Sequence, residues 1–111
     1  MNIIICGACS VGFTIAKLLS DQGHSITVID QSSEDIQKIN DTLDVKAIVG
    51  KATYPSILEK ANATATDMIT AVTRHDEINM LICQFNNFVI VKTTLPEPQM
   101  IILILVKFFY S

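Results

Sequence analysis

The 111-residue sequence predicts an α/β fold: a doubly wound, Rossmann-like parallel sheet with helices on both faces. One observation is that short apolar runs rich in β-branched residues alternate four times with segments whose apolar residues recur at helical spacing. Another is the order of residues 1–30, which predict a strand, a glycine turn, a helix, a strand and an acid. This order is typical of the dinucleotide-binding βαβ unit.

The first unit is predicted in detail by its apolar pattern. Residues 2–6 form an apolar run that is too short for a typical helix, and they are expected to be a strand buried on both faces. A turn at residues 7–12 leads into a helix whose apolar positions continue to Leu19, and Gly23 ends that helix. A second β-branched run, residues 25–29, is followed directly by Asp30.

The turn and the acid together form a candidate nucleotide site. Gly7 allows the chain to turn tightly out of the first strand, and Gly12, which lacks a Cβ, allows the helix to pack close to the sheet. The helix N-terminus offers N–H groups and a partial positive charge to a pyrophosphate. The Asp30 carboxylate is placed to accept hydrogen bonds from both ribose hydroxyls and to repel a 2′-phosphate, which favours NAD or an adenosine nucleotide over NADP.

Cys9 stands where the middle glycine of this turn is usual. Its side chain is expected to weaken binding or to shift the phosphate position, because backbone and phosphate normally meet there without a side chain between them. A drifted glycine is one interpretation of this residue, and a redox-sensitive thiol at a helix N-terminus is another. An ordinary βαβ turn that binds no ligand is a further alternative.

The remaining elements continue the alternation. A second helix begins after Ser32 or Ser33 and directs Ile36 and Ile39 to the sheet. The elements predicted after it are, in order, a strand at residues 45–49, a helix that begins near Pro55, a strand at residues 67–72, and a helix that carries Ile78, Leu81, Ile82 and Phe85.

Composition narrows the functional class. Eight basic and eleven acidic side chains give a net charge of −3, which argues against nucleic acid as a partner because no basic stripe is available. Cys6, Cys9 and Cys83 are odd in number and lack metal-ligand spacing, so a reducing cytoplasm and no metal site are expected. Met1 leads straight into the first strand without a basic segment, so no signal peptide is expected.

Several blocks of the sequence resemble a known family. They are residues 2–8, 11–12, 18–19, 26–30, 50–53, 67–73 and 76–84. Over residues 1 to about 85 the chain resembles the N-terminal nucleotide-binding domain of TrkA-type proteins (the RCK or KTN domain), which are cytoplasmic regulatory subunits of Trk potassium uptake systems. The resemblance implies a module that responds to NAD(H), or to ATP or ADP, and that regulates potassium transport without catalysing a reaction.

The resemblance also implies a set of binding residues and partners. Asp30 would hold the ribose, and the partners would be a membrane potassium-translocating Trk subunit and further copies of the chain, in a homodimer or higher homo-oligomer at the inner face of the membrane. Lys51 and Ala52 would lie near the adenine, and Thr73 and Arg74 beside the cofactor. The diphosphate loop would be Gly7, Ala8, Cys9, Ser10 and Val11, and Gly12 would also belong to the cofactor-binding residues.

Two positions depart from the family pattern, and two other functions stay open. Cys9 replaces a glycine, and Lys51 stands where many members carry an acid. One alternative is a fragment of a small NAD-dependent oxidoreductase, but neither Tyr54 nor Tyr110 has a suitable lysine neighbour in the sequence pattern, and no acid/base pair follows the fourth strand. The other is a non-binding remnant that only dimerises.

The end of the chain departs from both the alternation and the family. We therefore expect a nucleotide-binding domain over residues 1–92 and an atypical apolar tail over residues 93–111 that lacks the family's arginine contact and second domain. A shift of reading frame at Lys92 is compatible with a family-like strand and linker. The run at residues 101–106 is too short to cross a bilayer as a helix. It has strand-forming composition and is expected to pair with the open sheet edge.

Overall fold

A computed structural model describes residues 1–73 and the strand backbones of residues 89–94 and 101–106. Each strand and helix predicted before residue 73 is present, with small shifts at the ends. The elements are β1 (Asn2–Cys6), α1 (Ser10–Asp21), β2 (Ser25–Asp30), α2 (Ser33–Thr42), β3 (Lys46–Val49), α3 (Pro55–Lys60), a 3-10 helix (Ala63–Ala65), β4 (Met68–Ala71), β5 (Val89–Thr94) and β6 (Ile101–Val106).

The sheet has the strand order β3-β2-β1-β4-β6-β5. The first four of these strands are parallel, with Ile3 opposite Ile26 of β2 and opposite Met68 of β4. The order reverses between β1 and β4, since the chain first builds outward to β3 and then returns to the other side of β1. This arrangement confirms the predicted doubly wound sheet.

Helices cover both faces of the parallel strands, as predicted. Because successive strand residues point to opposite faces, Ile3 and Ile5 pack with residues of α1 and α2, while Ile4 and Cys6 pack with residues of α3. Cys6 is fully buried and belongs to the core. The two layers hold β1 and β4 at the centre of the domain.

The helix starts follow the expected capping chemistry in two cases. Ser32 is the N-cap of α2, and its hydroxyl accepts a hydrogen bond from the Asp35 N–H at 3.3 Å. Pro55 occupies the first turn of α3, where its missing N–H costs nothing. Cys9 is the N-cap of α1 but makes no capping hydrogen bond through its side chain.

Gly7 and Gly12 are fixed by the geometry of the turn after β1. Gly7 has φ +121°, and a Cβ there would lie 2.9 Å from the Val72 carbonyl. A Cβ on Gly12 would lie 1.8 Å from the Gly7 carbonyl oxygen, so α1 approaches the turn as closely as the backbones allow. These contacts confirm the structural reasons for both glycines.

The fourth strand is one residue shorter at each end than predicted, and Asp67 lies directly before it. Its carboxylate accepts the Asn2 N–H at 2.8 Å, and its own N–H donates to the Asn2 carbonyl at 2.8 Å. Asp67 thereby anchors the start of β4 to the start of β1. The short 3-10 helix before it was not predicted.

The apolar run near the end of the chain forms β6, which pairs antiparallel with β4 and with β5. Pairing of this run with the sheet edge is therefore confirmed, whereas β5 itself was not assigned from the sequence. The predicted fourth helix, Arg74, Cys83 and Tyr110 lie outside the described residues. In the described part of the chain, no helix has the length and apolar character needed to cross a membrane.

Candidate functional site

A pocket of about 400 Å³ opens at the edge where the parallel strands end. Parallel α/β sheets bind ligands at this edge, next to the point where the strand order reverses. The walls come from the segments that follow β1, β2, β3 and β4. Among the described residues, those that line the pocket are Gly7, Cys9, Ile29, Asp30, Gln31, Ser32, Asp35, Gly50, Lys51, Ala52, Thr53, Tyr54 and Thr73.

The glycine turn is held on the neighbouring strand by backbone hydrogen bonds. The Gly7 N–H donates to the Ile29 carbonyl at 2.8 Å, and the Val72 N–H donates to the Cys6 carbonyl at 2.8 Å. The turn therefore lies between the ends of β2 and β4. This position directs the N-terminus of α1 towards the edge of the sheet that bears the pocket.

Asp30 joins this turn to the next segment of the chain. Its Oδ2 accepts the Ala8 N–H at 2.7 Å, and its Oδ1 accepts the Ser32 N–H at 2.7 Å. The Asp30 carbonyl accepts the Gly50 N–H at 2.9 Å, which adds the end of β3. Each carboxylate oxygen has further lone-pair capacity, so these bonds leave acceptor sites for a ligand hydroxyl.

The Cys9 side chain lies on the β4 side of the turn. Its thiol donates a long hydrogen bond to the Val72 carbonyl, with 3.6 Å between Sγ and the oxygen. The Cys9 backbone is extended, with φ −69° and ψ −176°, so this position does not need glycine for its conformation. Cys9 is half-buried and still lines the pocket.

The loop between β3 and α3 forms the wall opposite the glycine turn. The Tyr54 N–H donates to the Lys51 carbonyl at 3.0 Å, which closes a tight turn, and Ala52 is buried beneath it. The Lys51 ammonium lies 5.6 Å from the centre of the Tyr54 ring, within the range of a cation–π contact. Lys51 is therefore a neighbour of Tyr54 in the fold, and its ammonium group lies over the face of the ring.

The structure brings six predicted residues together on the pocket surface: Gly7, Cys9, Asp30, Lys51, Ala52 and Thr73. Ala8 contributes through its backbone N–H, whereas Gly12 is buried under the turn. Ser10 and Val11 lie in the first turn of α1 and do not line the pocket. Arg74 lies outside the described residues.

Sequence reasoning missed the other seven of the described lining residues. Gln31, Ser32 and Asp35 belong to the β2–α2 connection, and Ser32 was recognised only as a helix cap. Their signal is their position directly after Asp30, since every segment that follows a parallel strand reaches the same edge. The same reasoning identifies the other missed residues, Ile29, Gly50, Thr53 and Tyr54.

The charges of the pocket are mixed. Asp30 and Asp35 provide two carboxylates, and Lys51 provides an ammonium group on the opposite wall. Among residues 1–73 and the two described strands beyond them, no group of three or more histidine, cysteine or acidic side chains is placed to hold a metal ion. The described residues of the site therefore offer hydrogen-bond acceptors, backbone N–H groups and the Lys51 ammonium to a ligand.

Comparison with known proteins identifies the family. The family model described as the TrkA-N domain matches residues 3–104. The chain belongs to the TrkA-N domain family. The match extends past residue 85, where the blocks of dense sequence resemblance end.

The Trk system potassium uptake protein TrkA of Azorhizobium caulinodans is a relative of this TrkA-N domain. It is 43% identical over 84 residues, which are 76% of this chain and 18% of that protein. The TrkA of Halomonas elongata is 39% identical over 84 residues, with the same two coverages. This TrkA-N domain therefore spans less than a fifth of the length of these curated relatives.

Two solved structures share the fold of this TrkA-N domain. The AMP-bound form of the Shewanella denitrificans Kef CTD superposes with a TM-score of 0.67 at 23% identity, over 78% of this chain and 52% of that one. The NAD(P)-binding domain of an exopolyphosphatase-related protein from Archaeoglobus fulgidus gives 0.66 at 21% identity, over 77% of this chain and 63% of that one. At these identities, the likeness establishes a Rossmann-like fold.

Proposed function

We propose that this chain is the nucleotide-binding regulatory domain of a Trk-type potassium uptake system, and that it binds NAD(H) or an adenine nucleotide. The observation that carries the proposal is the pairing of Asp30 with the glycine turn on one pocket wall. The Ala8 N–H donates to Asp30 Oδ2 at 2.7 Å, so the segments to which we assign phosphate and ribose binding are joined by a hydrogen bond. The family assignment gives this geometry its context.

Each wall of the pocket has a proposed role. The first turn of α1 offers backbone N–H groups without intrahelical acceptors to the phosphates, and Cys9 adds no side-chain cap that would occupy them. Asp30 accepts hydrogen bonds from the ribose hydroxyls, and its charge disfavours a 2′-phosphate. Lys51, Ala52 and Tyr54 enclose the base, with Thr73 on the β4 side.

The proposed partners follow from the relatives. Those proteins carry the name Trk system potassium uptake protein, so we propose that nucleotide occupancy of this domain regulates a membrane-embedded potassium-translocating subunit. The domain would act at the inner face of the cell membrane as a homodimer or higher homo-oligomer, with no reaction of its own. The net charge of −3 favours protein partners over nucleic acid.

Thermal unfolding with added nucleotide tests the proposal. A ligand that binds only the native state stabilises it by RT ln(1 + [L]/Kd), which is about 2.7 kcal/mol at a hundredfold excess over Kd. NAD+, NADH, ATP or ADP should raise the unfolding temperature, while NADP+ should do so less. The surface variant Lys17→Gln, which changes only an exposed ion pair with Asp21, should respond like the parent chain. No shift with any of these nucleotides would refute the proposed function.

A further inference from the structure

We draw no further inference here: the strongest candidate, the thiol of Cys9 on the pocket wall between the glycine turn and β4, is a lone cysteine at a helix N-terminus, and no second observation among the described residues indicates a ligand or a modifying group for it.

Discussion

The two carboxylate oxygens of Asp30 each accept a backbone hydrogen bond at 2.7 Å, one from Ala8 and one from Ser32. The fingerprint spacing predicted that this carboxylate would face a ribose, but it did not predict the bonds to the turn. Those bonds depend on the side-chain conformation and on the distance between two loops, neither of which a sequence period encodes. A single residue thus supports both the local fold and the proposed ligand.

This double role changes what a substitution at Asp30 is expected to do. Asp30→Ala should abolish nucleotide-induced stabilisation and also lower the free energy of unfolding by about 1–3 kcal/mol, because two part-buried N–H groups lose their acceptor. Urea denaturation with and without NAD+ measures both effects. Asp21→Asn, which removes only one exposed ion-pair partner, is the matched control and should change stability by about 0.5 kcal/mol or less. Unchanged nucleotide affinity in Asp30→Ala would contradict the ribose assignment.

Cys9 gives a second residue-scale prediction. Cys9→Gly should tighten nucleotide binding by about 1 kcal/mol, or fivefold to tenfold, because the side chain leaves the position where backbone and phosphate meet. Cys9→Ser keeps a side chain of similar size and should bind nucleotide like the parent chain. Calorimetry on the three proteins compares them directly. Equal or weaker binding by the glycine variant would mean that the contact of Sγ with the Val72 carbonyl already removes the obstruction.

At the scale of the elements, the position of α1 is tightly constrained by the glycine turn. Its first turn lies so close to the glycine turn that a Cβ at Gly12 would be 1.8 Å from the Gly7 carbonyl oxygen. The N-terminus of α1, which is the positive end of the helix dipole, is thereby held at the pocket edge. The sequence predicted from this glycine that α1 would pack close to the sheet, since a missing Cβ has few other uses within a helix. The structure places the closest contact at the turn that follows β1.

Replacement of this glycine should therefore be costly. Gly12→Ala should lower the free energy of unfolding by about 1–3 kcal/mol or more, because the new Cβ would lie 1.8 Å from a carbonyl oxygen and the helix must shift. The control Thr14→Ala changes an exposed position of the same helix and should cost about 0.5 kcal/mol or less. Chemical denaturation compares the two variants. If Gly12→Ala matched Thr14→Ala, the close approach of α1 would be refuted.

The elements also show where sequence reasoning reached its limit. Apolar periodicity predicted β1 to β4 and α1 to α3, because burial on one face or both repeats at a fixed interval. It did not predict β5, nor the antiparallel direction of β6. Strand direction depends on the connection to the preceding strand, because a short connection permits only an antiparallel neighbour. The composition of an apolar run such as residues 101–106 is the same in either direction.

At the scale of the molecule, the chain matches relatives of which it covers 18% of the length. More than four fifths of the length of these relatives therefore lies outside the region that this chain matches. The described walls of the proposed nucleotide site lie within residues 7–73, so nucleotide binding by this chain can be measured directly.

The apolar tail gives a prediction for the gene. We propose that the reading frame after Lys92 departs from that of the family, because the blocks of dense resemblance end near residue 85, although the family model itself extends to residue 104. Nucleotide sequencing should reveal a family-like strand and linker in a shifted frame from this codon onward. If no frame yields one, the tail is native to this protein and the frameshift proposal fails.

The antiparallel pairing of β5 and β6 has a consequence for the order of folding. These strands join residues that are close along the chain, such as Thr94 and Ile101, whereas β1 and β4 join residues as distant as Ile3 and Met68. Local pairs close short loops at low entropic cost, while the parallel core must close a long one. The hairpin should therefore form and open as a separate cooperative unit. Native-state hydrogen exchange should show amides of β6 exchanging by local opening, while those of β1 exchange only when the whole domain unfolds.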